Sequence, residues 1–260
     1  MIVDCHTHIN FTEAGSGPDE HIKAAEAVDK CIVLAPPGPT GQVNQHLSDY
    51  VTRMKEKMLG FAFVDPTQDK INPRRLSSIT TKLGLAGVVV YCADFGFHPA
   101  NSLALAFYES AEELALPVFF HNGPDLSDTS VLEYAQPVLL DEIARKFPAL
   151  KIIIGDMGIP FVEQTLEMAA RHKNVYADLS INVDCPWQTY NTVVSAWERK
   201  VLDKLLFGSG FPRGRAEQSI EMLLGFNRLI GNPHLPTVPR EKIQDIIERN
   251  TLDLLGIGKR

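Results

Sequence analysis

The chain has 260 residues, 45% of them hydrophobic and 22% charged, which is enough for one large α/β domain and short for two. Its formal net charge of −7, without clustered Lys or Arg, excludes a nucleic-acid-binding surface, and no apolar run approaches the roughly 20 residues that span a bilayer. Strand-like residues directly after Met1 leave no place for a secretory leader, so a cytoplasmic protein with four reduced cysteines (Cys5, Cys31, Cys92, Cys185) is expected.

Eight short runs rich in β-branched or aromatic residues follow one another along the chain: 1–5, 30–34, 58–64, 87–91, 118–120, 151–154, 175–179 and 204–207. Longer segments of helical periodicity separate them. Over 102–114 the period is helical, and over 161–171 Val162, Leu166, Ala169 and Ala170 define an apolar face. The tail from 242 to 255 reads as one last covering helix. Alternation of strands and helices predicts a parallel sheet. An open doubly wound sheet competes, but eight strands with a helix after most of them fit closure better than two exposed edges, so the predicted fold is a single parallel (β/α)₈ TIM barrel spanning 1–260. The cluster Pro36-Pro37-Gly38-Pro39 reads as a rigid loop near the site rather than a domain boundary.

Catalytic groups of such barrels gather at the C-terminal ends of the strands. His6 and His8 close the first run, and strict alternation would put both on one face with Asp4, which is placed to accept a ring N–H. A His-x-His pair alone is also compatible with hydrogen-bonded strand-end histidines. His121 ends the fifth run before the turn signal Asn122-Gly123-Pro124, and three imidazoles at strand ends would suit a divalent ion, zinc foremost.

At this point the chain resembles a known family. The segments Asp4-Cys5-His6-Thr7-His8, Leu116 to Gly123, Lys151 to Gly158, Leu206 to Pro212 and Arg249 to Gly256 are similar to those of the amidohydrolase-related family of metal-dependent barrel hydrolases and decarboxylases. The resemblance covers nearly the whole chain. It implies His6, His8 and His121 as metal ligands, and a homodimer as a common assembly. Two positions depart from the family pattern. Asp156 stands where a histidine usually follows the sixth-strand glycine, and Gly210 stands where the eighth strand usually presents an aspartate that binds metal and takes a proton from water.

Glycine can do neither task. Asp156 therefore becomes the candidate base or fourth ligand, with a helix cap as its plain alternative; Gly210 serves a tight turn or enlarges the pocket. His98, on the loop after the fourth run, is a candidate proton donor or a solvated loop residue. Arg213 and Asp178 are candidate substrate contacts, the first through a substrate carboxylate or else as a surface ion pair, the second facing either the pocket or a structural partner. His21, His46, His172 and His234 are expected to be exposed. Three functions follow: a metal-dependent hydrolase of a small amide, lactone or ester; a non-oxidative decarboxylase of a small carboxylic acid; and a catalytically inactive barrel that binds a small molecule.

Overall fold

Residues 1–11, 15–68, 72–123, 126–232 and 234–258 are described by the computed structural model. Eight strands lie in sequence order and every adjacent pair is parallel: β1 (Val3–Thr7), β2 (Lys30–Leu34), β3 (Met58–Phe63), β4 (Gly87–Val90), β5 (Val118–Phe120), β6 (Ile152–Ile154), β7 (Val175–Ser180) and β8 (Leu205–Gly208). Backbone bonds from His8 N–H to the Phe211 carbonyl (2.9 Å) and from Gly210 N–H to the His6 carbonyl (3.0 Å) join the ends of β1 and β8. The fold is the predicted (β/α)₈ barrel.

A helix follows each strand: α1 (Pro18–Ala24), α2 (Thr40–Arg53), α3 (Pro73–Thr81), α4 (Ser102–Glu113), α5 (Asp141–Lys146), α6 (Val162–Arg171), α7 (Pro186–Glu198) and α8 (Ala216–Leu224). The Pro36 to Pro39 cluster leads from β2 into α2, with Pro39 at the N-cap. Asn101 starts α4 by accepting the Leu103 N–H at 2.9 Å, which relieves one of the helix's unpaired donors. On α6 the buried side chains are Thr165, Leu166, Met168 and Ala169. Ala170, assigned to the inner face from its spacing, is exposed; Met168 takes that place.

The tail forms two helices, α9 (Arg240–Ile247) and α10 (Thr251–Leu255), where one was expected. Between them Arg249 turns inward, its Nε donating to the Leu205 carbonyl at 3.1 Å and its guanidinium to that of Leu202 at 3.2 Å. Asn250 then caps α10 by accepting the Asp253 N–H at 3.3 Å. Those side-chain bonds to backbone compete with a continuous helix.

The strands bury both faces, as parallel strands covered by helices must. All of Ile152, Ile153 and Ile154 have no exposed surface, and each such burial contributes about 2 kcal/mol. Inside the barrel Phe119 lies edge-on to the His6 ring, with centroids 5.1 Å apart. That packing needs the glycine at 155, because a Cβ there would sit 2.7 Å from the Phe119 ring. The aromatic floor of the site is thus set by Phe119 on β5 and the glycine directly after β6.

Candidate active site

β1 does not alternate cleanly. Its register against β2 shifts between Asp4 and Thr7, so an extra residue bulges there. Asp4 consequently reaches no imidazole; its Oδ1 accepts the backbone N–H groups of Ser209 (2.9 Å) and His6 (3.3 Å), tying β1 to the end of β8. Burial pushes its carboxyl up to about 6. The expected tautomer-fixing role of Asp4 is therefore corrected: the acid beside the His6 ring is Asp178, whose Oδ2 lies 2.5 Å from Nδ1.

The three histidines predicted from sequence do meet. The Nε2 atom of His8 lies 3.0 Å from that of His6 and 3.2 Å from that of His121. Nδ1 of His6 faces the Asp178 carboxylate and Nδ1 of His8 faces the Leu34 carbonyl at 3.2 Å, both of which are acceptors. These contacts put the ring protons on Nδ1 and leave the Nε2 lone pairs aimed at one point. Around a tetrahedral zinc with Zn–N near 2.0–2.1 Å, nitrogens are about 3.3 Å apart, so the cluster fits a first-row divalent ion. His121 leaves the barrel directly after β5, its N–H still donating to the Val90 carbonyl at 2.9 Å. Tyr91 holds its ring, with centroids 4.6 Å apart and a tilt of 34°. The expected turn after it includes Pro124, which lies outside the described residues.

The surrounding charges favour an extra proton on His6 and disfavour one on His8 or His121. Burial alone would lower the His6 imidazole, but the charges of Asp178 and Asp156 and the Asp178 hydrogen bond outweigh it and lift it to about 9. Burial and the charge on His6 drive His8 down to about 3, and burial and its two neighbours push His121 well below the usual histidine value.

Asp156 sits after β6, almost fully buried. Burial raises its carboxyl despite the opposing charge of His6. Oδ1 accepts from Arg213 at 3.1 Å, while Oδ2 makes no hydrogen bond and lies 3.9 Å from His6 Nδ1. His121 Nδ1 is likewise buried without a partner. A Cβ on Gly123 would fall 3.0 Å from His121 Cε1 and 3.2 Å from Asp156 Oδ2, so that glycine keeps a gap open between the two groups. Asp156 does not cap α6: that helix starts at Val162, with Phe161 at its N-cap and no side-chain cap. Its backbone instead has φ 46° and ψ 37°, followed by φ of 54° at Met157 and 65° at Gly158. Such left-handed conformations are uncommon outside glycine and cluster at functional sites.

A cleft of about 220 Å³ opens beside the cluster, lined in part by Asp156, Ser180, Asn182, Gln188, Gly210 and Arg213. Gly210 has φ +65° in a turn whose carbonyl accepts the Arg213 N–H at 3.1 Å, and the nearest atoms to a Cβ there would be Ser180 and Arg213 at 3.4–3.6 Å. Arg213 therefore faces both Asp156 and the cleft.

Two expected participants lie elsewhere. His98 is not in the cleft lining; its Nδ1 accepts the Ala100 N–H at 3.0 Å and its ring meets Tyr134. Asp178, a candidate for either a substrate contact or a structural partner, takes the second place: it has no exposed surface and its oxygens are taken up by protein groups. An acid inside a buried strand was the sequence signal for that role, since a buried carboxylate must be hydrogen-bonded. Ser180, Asn182 and Gln188 carried no such signal. His21, expected to be exposed, is fully buried between Tyr50 and Phe211, whereas His46 and His234 are exposed and His172 is half-buried against Asp141. Three of the cysteines are buried, Cys185 is exposed, and all four are free. Among the described residues no helix is long and apolar enough to cross a membrane.

The family model described as amidohydrolase matches residues 3–257. Solved structures with the same fold include a probable 2-pyrone-4,6-dicarboxylic acid hydrolase from Acinetobacter baumannii (15% identity, TM-score 0.69, 98% of this chain and 99% of that one). A 2,6-dihydroxybenzoate decarboxylase from Rhizobium matches at 17% identity and TM-score 0.69 over 98% of both chains. A 5-carboxyvanillate decarboxylase from Novosphingobium aromaticivorans, solved with bound manganese, matches at 11% and 0.70 over 99% of this chain and 97% of that one. At these identities the likeness is one of fold. No curated protein matches the chain in sequence.

Proposed function

The chain belongs to the amidohydrolase family, and from that premise we propose that it is a metal-dependent hydrolase of a small carbonyl compound, an amide, lactone or ester, with one divalent ion, zinc foremost, held by His6, His8 and His121. The observation that carries this reading is the convergence of three Nε2 atoms within 3.0 and 3.2 Å steps, with Nδ1 of His6 and of His8 committed to acceptors. Three imidazoles and no thiolate form a donor set suited to zinc, and equally to other first-row ions. When bound, such an ion polarises a carbonyl and acidifies water.

The residues supply the rest. Asp156, with one oxygen held by Arg213 and the other unpartnered, takes the proton that the family's eighth-strand aspartate would take. Gly123 keeps a small space open beside that free oxygen. Arg213 orients Asp156 and presents its guanidinium to the cleft, where it meets an anionic group of the substrate. A cleft of about 220 Å³ admits only a small molecule.

The test joins elemental analysis of protein purified without chelator to turnover of small lactones, amides and esters in H₂¹⁸O. Bound metal together with ¹⁸O in the product is the expected result; metal-free protein, or turnover without label, sinks the reading. Arg213 beside the cleft also favours a second reading, decarboxylation of a small carboxylic acid. Carbon dioxide release without water incorporation distinguishes it.

A further inference from the structure

A carboxylate in the middle of a buried strand needs a hydrogen bond to every lone pair it can satisfy. Asp178, on β7, has no exposed surface and meets that need with donors from β1, from the turn after β6 and from Ser180 on its own strand. Its Oδ2 accepts from Nδ1 of His6 at 2.5 Å, from the backbone N–H of Asp156 at 3.0 Å and from the Ser180 hydroxyl at 3.0 Å. Its Oδ1 lies 3.6 Å from the Cys5 thiol and 3.1 Å from the same hydroxyl. Gly208 on the adjacent strand completes the seat, because a Cβ there would collide with Oδ1.

One oxygen thus governs two groups with different tasks. It fixes which nitrogen of His6 carries the proton and how the ring is turned. It also anchors the N–H of Asp156 at the entry to a turn whose first three φ values are 46°, 54° and 65°, so the direction in which the Asp156 side chain leaves is set from β7. We propose that Asp178 is a positioning residue that couples the cation ligand His6 to Asp156 through this shared oxygen. The effect on metal affinity rests on the proposed function above; the placement of the His6 proton and of the Asp156 backbone does not.

The experiment compares wild-type protein with Asp178→Asn and Ser180→Ala. In the wild type, with or without metal, NMR should show a low-field, slowly exchanging proton on His6 Nδ1 and a protected Asp156 amide. In Asp178→Asn, which keeps the shape but loses the charge, that proton moves upfield, the Asp156 amide exchanges faster, and chelator competition gives a divalent-metal Kd about 10–100-fold weaker. Ser180→Ala shifts the Kd no more than a few-fold. The proposal is overturned if wild-type His6 carries no proton on Nδ1, if Asp178→Asn binds metal as tightly as wild type, or if Ser180→Ala weakens it as much. Should the wild type take up no divalent ion, the proposed function fails, and the His6 and Asp156 protons still decide this inference. The wild-type spectrum also decides it if the Asn variant does not fold.

Discussion

The Nε2 atoms of His6 and His8 stand 3.0 Å apart while both Nδ1 atoms face acceptors, Asp178 and the Leu34 carbonyl. Two lone pairs at that separation repel unless a proton or a cation lies between them. A divalent ion bound there stabilises the folded state, by about 2.7 kcal/mol at a free concentration one hundred times Kd. Chelation should accordingly lower the melting temperature of the wild type by roughly 5 to 10 °C. His8→Ala should cut bound metal from about one ion per chain to under about a tenth and abolish the chelator effect. A melting curve indifferent to chelator would show that the histidines hold no ion.

Asp156 offers one hydrogen-bonded oxygen and one free oxygen, and its left-handed backbone is one that Asn also tolerates. Asp156→Asn should therefore fold and keep its metal while losing the ability to take a proton. The expected loss in kcat is about 10²–10⁴-fold, measured on whichever lactone or amide the wild type turns over. Unchanged turnover would remove Asp156 from the chemistry. Loss of metal would instead make it the fourth ligand.

The barrel was legible because its strands are runs such as Ile152–Ile154 whose burial on both faces is written in their composition. His6, His8 and His121 were legible because each closes such a run. The partner of Asp178 was not, since its bond to His6 spans 172 positions and no local spacing encodes it. Asp4 misled because alternation assumes a regular strand, and β1 bulges between Asp4 and Thr7. His21 was misread for a related reason: its helix is polar in sequence, yet Tyr50 from α2 and Phe211 from beyond β8 close over it. His98 lay on the right side of the barrel, but its own loop claims its ring nitrogen through Ala100.

Gly210 and Asp156 stand where the resemblance implies an aspartate and a histidine, and introducing both of those residues separates a repurposed site from a disabled one. At Gly210 a Cβ would meet only ordinary contacts, so Gly210→Asp fits, with about 1–2 kcal/mol of backbone cost for its positive φ. Its new carboxylate would lie beside Arg213, competing with Asp156 for the guanidinium. In a site where Asp156 acts, the double variant Gly210→Asp with Asp156→His gains no hydrolysis over wild type. A large gain on the substrate panel would mean that the natural chain is a binding barrel whose chemistry was lost.

His21 makes stability depend on pH. Its ring is fully buried, Nδ1 is 2.9 Å from the Tyr50 hydroxyl, and Nε2 has no partner. Burial lowers its pKa from 6.5 to about 4, so between those values the unfolded chain binds a proton that the folded chain refuses. The stability it supports is whole above about pH 6.5 and declines as pH falls toward 4, by up to about 3 kcal/mol. His21→Gln keeps a polar partner for Tyr50 but cannot titrate. Urea midpoints measured from pH 7.5 to 4 should fall more steeply for the wild type than for this variant, with the difference confined to that window. Parallel curves would show that the ring is reached by solvent and protonates in the folded state.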